Sequence, residues 1–497
     1  MNDPHTQRGN RDQYLVGLIR DKLAAQEPLL DLRHESIGDA GLVFLARAGD
    51  LSHVKSIDLG WNEITSAGVK ALAQAASLKN LKHLILDSNK ICDSGASALA
   101  DSPCLPQLKT IELTNNRVGD EGALRLVKSR SLGKLEFLEL ELNRVGKTPL
   151  TKFPDGPANT SLRKLNLKRN RVGNATLADW ARTGAFAPLN HLNLGWNVIG
   201  DEGAKTLANS PTVSGLNYLG LDSNSIRNEG ALALANSKNL GALVHLFMGD
   251  NDFGLQGEQA LQELHLSLLI KRKLSGATLN LNGQRLGHKG LRTLAATKAL
   301  ENVETLTLRN NHFDHKGLKF LLDSSHLGKV TSLNLMGNWV GNKGAVILAD
   351  SGNLAGLTAL NMENTRITAI GALALVRGKG GPILRELNLS NNNIGDKGAK
   401  ILAQSENLSN LKSLRLWNAG IGDAGFLAIA QSPYLSNLTE LRVNGNSIHP
   451  AGLAALADSK NFSSLKQLDL RRNKITEADL LLMPQIEKLK TLEVFRF

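Results

Sequence analysis

The side chains that could carry out chemistry in this 497-residue chain do not stand at the spacings that catalytic or metal sites need. The only two cysteines, Cys92 and Cys104, are too few for a disulfide framework or a zinc site, so we expect a reducing compartment. The twelve histidines share no common spacing, the HExxH pattern is absent, and no glycine-rich phosphate loop precedes a lysine. We therefore predict no catalytic residues, no metal and no cofactor.

One short motif invites an enzymatic interpretation. The segment NDFG at residues 251–254 is similar to the DFG triplet of protein kinases. Asn251, however, belongs to a series of asparagines that recurs through the chain, and Phe253 stands where other members of the series have isoleucine. The triplet is thus part of a repeat and does not indicate phosphoryl transfer.

The asparagine series extends over nearly the whole chain. Seventeen positions follow strand-like runs such as IDLGWN and LILDSN, at steps of 27 residues with a single step of 33. Thirteen of these positions are asparagine: Asn62, Asn89, Asn116, Asn143, Asn170, Asn197, Asn224, Asn251, Asn311, Asn338, Asn392, Asn446 and Asn473. The other four are Glu35, Gln284, Thr365 and Ala419. A glycine stands six residues after most of them, often followed by Leu-Ala, so a whole structural unit repeats.

Each unit has the pattern of a short strand, a turn, a helix and a loop. The strand is too short to stand alone and the helix has one narrow apolar stripe, so the units must stack to bury enough surface. We predict an α/β solenoid of about 17 stacked repeats, each with one strand and one helix. Aspartates placed to cap helix N-termini support this reading. They are Asp39, Asp93, Asp120, Asp201, Asp396 and Asp423.

The repeated pattern LxxLxLxxNxIxxxGxxxLA resembles the leucine-rich repeats of the ribonuclease-inhibitor class, from about residue 27 to the end of the chain. The segments GALALA at 230–235 and GALAL at 371–375 resemble the GALA repeats of effectors from plant-pathogenic bacteria. The resemblance implies a horseshoe-shaped leucine-rich-repeat solenoid, with a parallel β-sheet on the inner side and helices on the outer side. It also implies that the asparagine side chain lies inside the turn and bonds backbone groups of neighbouring coils. An amide suits this role because it has two donors and an acceptor. We expect Thr365 to replace it partly and Ala419 not at all, with Glu35 and Gln284 fitting poorly.

The domain prediction is a single solenoid over residues 27–497, preceded by a disordered start and a capping helix within residues 1–26. The helix would present Leu15, Leu18, Ile19 and Leu23 on one side, and docking to a partner is the alternative role for it. It is too short for the F-box that GALA effectors carry.

Two stretches depart from the repeat. Residues 144–185 contain Pro149, Pro154 and Pro157, which prevent a normal helix. Residues 252–283 carry six extra residues that lengthen a helix. The C-terminal segment has the pattern of one more strand, with Phe495 and Phe497 at its tip. For residues 144–185 and 252–283, three interpretations stay open: mere irregularity, a bend in the solenoid and a contact site.

Charged residues are expected on the concave face, because strand side chains alternate between the core and the cavity. Early repeats place acidic residues there and late repeats place basic ones, against the alternative of a solvated face of mixed charge. The acidic candidates are Asp58, Asp87, Glu112, Glu139 and Glu141, and the basic candidates are Arg415, Arg442 and Arg471.

Three tryptophans and a row of cations complete the predicted binding residues. Trp61 and Trp196 stand immediately before the asparagine of their units, and Trp417 stands one residue earlier in its unit, so interface anchoring and incidental exposure are both open. We expect Trp180 and Trp339 to serve packing. The row, one residue after the asparagine, is neutralised by Glu112, Glu139 and Glu141 or serves an acidic partner. It contains Lys90, Arg117, Arg144 and Arg171.

These features predict a non-catalytic scaffold that binds a protein partner through its concave face. The GALA-like repeats favour a bacterial, effector-like protein, in the cytoplasm or secreted into a host cytosol without a cleaved signal peptide. The runner-up is a substrate adaptor for ubiquitin ligation or a GTPase-activating scaffold. No apolar run is long enough to cross a membrane. The net charge of +12 permits nucleic acid, but only 4% of residues are aromatic, and we do not expect such binding. The oligomeric state is not indicated.

Overall fold

The computed structural model describes residues 14, 16–147, 159–378, 383–459, 462–481 and 492–496. The chain divides into two compact units, Met1–Leu268 and Leu269–Phe497, which are taken in turn below. The sequence predictions that concern Leu15, Phe497 and the three prolines 149, 154 and 157 fall outside the described residues.

The first unit contains a sheet of nine three-residue strands, paired in chain order and all parallel. The strands are β1 (Leu29–Asp31), β2 (Ser56–Asp58), β3 (His83–Ile85), β4 (Thr110–Glu112), β5 (Phe137–Glu139), β6 (Lys164–Asn166), β7 (His191–Asn193), β8 (Tyr218–Gly220) and β9 (His245–Phe247). The helices are α1 (16–24), α2 (Gly38–Arg47), α3 (Ser66–Ala73), α4 (Asp93–Ala100), α5 (Asp120–Val127), α6 (Asn174–Arg182), α7 (Asp201–Asn209), α8 (Asn228–Ala235) and α9 (Leu255–Lys273).

The second unit repeats the arrangement with a ten-stranded sheet, parallel except for its first pair. Its strands are β10 (Leu274–Ser275), β11 (Thr278–Asn280), β12 (Thr305–Thr307), β13 (Ser332–Asn334), β14 (Ala359–Asn361), β15 (Glu386–Asn388), β16 (Ser413–Arg415), β17 (Glu440–Arg442), β18 (Gln467–Asp469) and β19 (Val494–Arg496). Its helices are α10 (Gly287–Ala295), α11 (His315–Leu322), α12 (Gly341–Ala349), α13 (Ala369–Arg377), α14 (Gly395–Ala403), α15 (Asp423–Ala430), α16 (Pro450–Asp458) and α17 (Glu477–Leu481).

The core of both units lies between the strands and the helices. The middle residue of a strand points into it, as Ile57, Leu192 and Leu414 do with no exposed surface. The first and third strand residues point the other way because side chains alternate along a strand. We call this second surface, together with the residue two places before each member of the asparagine series, the strand face. The predicted α/β leucine-rich-repeat solenoid is confirmed in this arrangement of strands and helices.

One feature lies beside the last strand of the first sheet, and another lies beside the first parallel strand of the second sheet. Helix α9 has 19 residues, and its His265 Nε2 lies 3.0 Å from the carbonyl oxygen of Leu246 in the last strand of the first sheet. In the second unit, β10 runs antiparallel to β11 and pairs with it at the start of the second sheet. An exposed edge strand offers unpaired backbone groups to other chains, and β10 covers the edge of β11 in this way. That residues 27–497 form a single solenoid stays a prediction.

The N-terminal segment packs against the first repeat. Within α1, Ile19 is fully buried and joins the core of the first unit, with Leu23 packed against it. The guanidinium of Arg20 lies 5.9 Å from the ring of Phe44 in α2, and Lys22 pairs with Glu35 at 3.6 Å. These contacts are those of a helix that covers an end of the core.

The aspartates at the helix starts accept N–H groups of the following repeat, and five of the six cap the helix that begins there. Asp120 instead accepts the N–H of Gly146, in a repeat with no helix among the described residues. Asp201 is the first residue of α7, yet its Oδ1 accepts the N–H groups of Arg227 and Gly230 at the start of α8, both at 2.8 Å. A Cβ at Gly230 would lie 2.7 Å from that oxygen, which explains why glycine recurs there. The sequence pattern located the caps correctly without showing that they join neighbouring repeats.

Replacing Asp201 by alanine should therefore destabilise the protein by about 1 to 2 kcal/mol, because two N–H groups at a helix start lose their acceptor. Asp201→Asn is the matched control, since Asn174 and Asn228 hold the equivalent position and accept the equivalent bonds. Urea unfolding followed by circular dichroism measures both. Equal losses for the two variants would contradict this account of the cap.

Candidate functional site

The asparagine series forms a hydrogen-bonded ladder along each sheet, interrupted where a position of the series is not asparagine. The Oδ1 of Asn89 accepts the N–H groups of Asn62 and Ile64 at 3.1 and 2.9 Å. Its Nδ2 donates to the carbonyl oxygens of Leu59 and Leu86 at 3.0 and 2.9 Å. One amide thus bonds two neighbouring repeats, and only 8% of Asn89 is exposed. In this surrounding an asparagine is a scaffold residue with no group left for a ligand.

The four positions without asparagine make fewer bonds. Thr365 Oγ1 donates to the carbonyl oxygen of Met362 at 2.6 Å, and Gln284 Nε2 donates to that of Asn282 at 2.9 Å. Ala419 is fully buried and has no polar side chain to contribute.

The residue immediately before each ladder position has a left-handed backbone. We call it the turn position. Bulky residues rarely adopt a positive φ, whereas glycine and asparagine do so readily. The seventeen turn positions, all with positive φ, are His34, Trp61, Ser88, Asn115, Leu142, Arg169, Trp196, Ser223, Asp250, Gly283, Asn310, Gly337, Asn364, Asn391, Asn418, Gly445 and Arg472. Small and polar residue types at most of these positions indicate this conformation, which was not among the predictions from the sequence.

Two of the predicted tryptophans occupy turn positions of the first unit. Trp61 has a φ of +59° and is 56% exposed, and Trp196 has a φ of +55° and is 50% exposed. The ring of His34 stacks on Trp61 at 5.3 Å, and the guanidinium of Arg169 lies 5.2 Å from the ring of Trp196. Both indoles therefore offer about half of their surface to solvent, from a backbone conformation that disfavours them.

The other tryptophans have different surroundings. Trp417 is only partly exposed and lies in the second unit, so the structure does not join it to Trp61 and Trp196 in one site. Trp180 is 1% exposed, as expected for a packing residue. The prediction that Trp339 serves packing is wrong, because it is 62% exposed and covered only on one side by Arg366, whose guanidinium lies 4.6 Å from the ring.

The acidic residues of the first unit share the strand face. Asp58 is buried and pairs with Arg33. Burial raises the pKa of Asp87 and of Glu112, and the neighbouring carboxylates raise both further. Burial also raises the pKa of Glu139, to about 7, although Asn166 Nδ2 and the N–H of Glu141 donate to its carboxylate at 2.9 and 2.8 Å.

Glu139 lines a cavity of about 780 Å³ on the strand face. Phe137, Lys164 and His191 stand at the same position of three successive strands and also line it. The ring of His191 stacks on Tyr218 of the next strand at 3.8 Å, and Tyr218 contacts Phe247 at 5.2 Å. Burial lowers the pKa of His191, and Lys164 lowers it further. This row of rings was missed in the sequence, although His191 and Tyr218 stand six residues before their ladder positions and Phe247 stands four before its own.

The basic residues of the second unit are engaged by carboxylates on the same face. Arg415 and Arg442 both bond Glu440, at 3.0 and 2.5 Å. Arg471 bonds Asp469 at 2.6 Å. These arginines lower the pKa of Glu440 and of Asp469, against the effect of burial. The late repeats thus present ion pairs and not a purely basic surface.

The described part of the chain contains no helix with the length and apolar character that a membrane span requires. No group of histidine, cysteine, aspartate or glutamate side chains there is arranged to hold a metal ion.

The repeat units match a known family of sequence repeats. A family model described as "Leucine Rich repeat" matches residues 50–73, 77–100, 105–127, 158–175, 187–208, 328–349, 382–403 and 434–457. Both units of the chain thus contain leucine-rich repeats, and such repeats in general form scaffolds for protein interaction.

Two solved structures are among those similar to the chain. An internalin from Listeria monocytogenes has a TM-score of 0.29 and 19% identity, with 87% of this chain and 94% of that chain covered. A leucine-rich repeat protein of Leptospira interrogans has a TM-score of 0.29 and 17% identity, with 94% and 95% covered. No curated protein sequence matches the chain.

Proposed function

We propose that the chain is a non-catalytic scaffold that binds a protein partner through the strand face and turn positions of its first unit. The observation that carries the proposal is the pair Trp61 and Trp196, each at least half exposed at a left-handed position. A bulky residue with positive φ is strained, and strain of this kind collects at functional sites. Exposed tryptophans gain little for folding, whereas they are preferred anchors of interfaces.

The spacing of the two indoles suits a protein surface. They lie five strands apart in one sheet, which corresponds to roughly 24 Å at ~4.8 Å per strand. Between them lie the cavity at Glu139 and the other candidate carboxylates, Glu112 and Glu141. An occupant that touches both indoles must span several repeats, which favours a macromolecule over a small ligand.

The same proposal includes the class of repeat and the origin of the protein. Repeats of 27 residues, most of them with an α-helix among the described residues, support the ribonuclease-inhibitor class, and the α8 sequence NEGALALA supports the GALA type and with it a bacterial, effector-like protein. Such a protein would act in the cytoplasm or in a host cytosol. Arg117, Arg144 and Arg171 complete the site proposed in the first unit. Trp417, Arg415, Arg442 and Arg471 form a secondary candidate in the second unit.

Replacing both Trp61 and Trp196 by asparagine tests the proposal. Asn115 and Asn310 hold the equivalent turn position, so the variant should fold with unchanged or higher thermal stability. Loss of two anchors of about 2 kcal/mol each should weaken partner binding by at least about a hundredfold. The measurements are thermal melting and quantitative mass spectrometry of the proteins that the immobilised chain retains from its native lysate.

Trp339→Ala is the matched control, because it removes an equally exposed tryptophan from the second unit. A partner retained equally by the double variant and the unmodified protein would contradict the proposed site. Retention of ubiquitin-ligase subunits, or of a small GTPase whose hydrolysis is accelerated, would instead favour the adaptor or the GTPase-activating scaffold.

A further inference from the structure

Four exposed cations stand at one position of four consecutive repeats in the first unit. They follow the ladder asparagines directly, and we call them the basic stripe: Lys90, Arg117, Arg144 and Arg171. Their backbones are fixed, because each N–H donates to a carbonyl oxygen of the preceding repeat, at 2.8 or 2.9 Å. Successive members are therefore held about one strand spacing apart, ~4.8 Å.

The carboxylates of the strand face do not neutralise the basic stripe. Lys90 pairs with Glu63 at 3.5 Å. For Arg117, Arg144 and Arg171, no carboxylate of the described residues lies within ion-pair distance, 4.0 Å.

The nearby acidic groups have other partners. Glu141 faces Arg169 at 3.8 Å, and Glu139 is bonded by Asn166 and by a backbone N–H. The sequence left open whether Glu112, Glu139 and Glu141 neutralise the basic stripe. They form no direct ion pairs with it.

The spacing of the basic stripe makes its charges repel one another. Because their backbones are about one strand spacing apart, neighbouring side chains can bring their charges within the screening length of ~8 Å at physiological salt. Folding brings these cations together and supplies an ion-pair partner to Lys90 alone among the four, so the arrangement of the three arginines opposes the stability of the free protein. A partner with negative charges would remove that repulsion. The stripe also has a definite end, because the next repeat has Val198 at this position, 59% exposed.

We infer that the basic stripe binds an acidic segment of a polypeptide. The inference rests on the proposed function and adds the chemistry of the partner. The stripe adjoins the tryptophan site, because Arg169, two residues before Arg171, carries the guanidinium that covers Trp196. Guanidinium groups bind carboxylates through paired hydrogen bonds, which favours arginine at three of the four positions.

The surroundings favour an acidic polypeptide over a nucleic acid. In the same repeats, Asp87, Glu112 and Glu139 lie on the strand face beside the stripe. A continuous phosphate backbone would meet these carboxylates, whereas a polypeptide can place neutral or basic residues against them. Base stacking would also need aromatic side chains between the cations, and the stripe has none.

The test uses the full chain and a fluorescent 12-residue peptide of glutamate and glycine, with binding followed by fluorescence anisotropy at several salt concentrations. The variant Arg117→Gln/Arg144→Gln/Arg171→Gln should bind the peptide at least about tenfold more weakly, with a smaller dependence on salt. Its melting temperature should equal or exceed that of the unmodified protein, because repulsion is removed.

A variant with the same change in net charge, Lys70→Gln/Lys79→Gln/Lys238→Gln, is the control, since these exposed lysines lie elsewhere in the unit. Equal losses in both triple variants, or none in the arginine variant, would overturn the inference. So would tighter binding of a single-stranded oligonucleotide that depends on the same arginines. The double tryptophan variant separates the two proposals: it should keep peptide binding and lose the native partner. Unchanged capture of that partner would count against the tryptophan site alone.

Discussion

Asn89→Ala should lower the free energy of unfolding by about 3 kcal/mol, the largest loss that we expect from a single ladder residue. The change removes the acceptor for the buried N–H groups of Asn62 and Ile64 and the donors for the carbonyl oxygens of Leu59 and Leu86. Each buried polar group left without a partner costs about 1 to 3 kcal/mol, although water entering the gap will recover part of this. Urea unfolding at pH 7 measures the loss.

The natural gap at Ala419 provides the reciprocal experiment. At regular positions the N–H of the preceding repeat donates to the ladder amide, as Ile91 does to Asn116 at 3.0 Å. The methyl group of Ala419 offers no acceptor to the corresponding N–H of Ile394. Ala419→Asn should therefore raise the stability by about 1 kcal/mol. A stability decrease in Ala419→Asn, or no decrease in Asn89→Ala, would show that packing and not the amide bonds maintains the ladder.

The second large effect is a dependence of stability on pH through Glu139. Its pKa is about 7 in the folded protein, against 4.5 for an unperturbed glutamate, because burial disfavours the charged form. Between these values the folded state binds more protons than the unfolded state, so stability falls as pH rises from 4.5 to 7. The contribution is at most about 3 kcal/mol. In Glu139→Gln this part of the fall should be absent.

Thermal or urea unfolding at half-unit steps from pH 4.5 to 8 gives the difference between the two proteins. Glu136→Gln is the control with the opposite sign, because Lys109 holds the pKa of Glu136 below its usual value. That variant should keep the fall of stability toward neutral pH. Parallel curves for the unmodified protein and Glu139→Gln would mean that Glu139 is well solvated.

The periodic sequence was sufficient to predict the repeat with its strands and helices, and the reason is physical. Every 27 residues the same leucines, asparagine and glycine meet the same neighbours, so the errors of one unit are corrected by the others. The serine at Ser102 and its equivalents escaped notice in spite of this regularity. Its hydroxyl donates to the carbonyl oxygen of Ala73 in the preceding repeat, as that of Ser129 does to Ala100.

The site was less predictable because its properties depend on contacts between repeats. Nothing in the residues around Glu139 shows its burial, which arises from the strands on both sides. The pairing of Arg415 with Glu440 joins residues 25 positions apart, and the charge of each alone indicates a free ion. The repeat pattern predicted the position of Trp339, one residue after Asn338. Its exposure could not be predicted, because it depends on the side chains that neighbouring repeats place beside it.

The caps that reach from one repeat to the next give the chain a direction. The acceptor that starts α8 belongs to Asp201, in the repeat before it, and the start of α3 likewise depends on Asp39. Loss of a repeat therefore deprives the helix on its C-terminal side of a cap, while the helix on its N-terminal side keeps the acceptor it already has. The ladder amides have the opposite direction, because Asn89 accepts N–H groups of the repeat before it. A lost repeat therefore weakens both of its neighbours, through a missing cap on one side and a missing amide acceptor on the other.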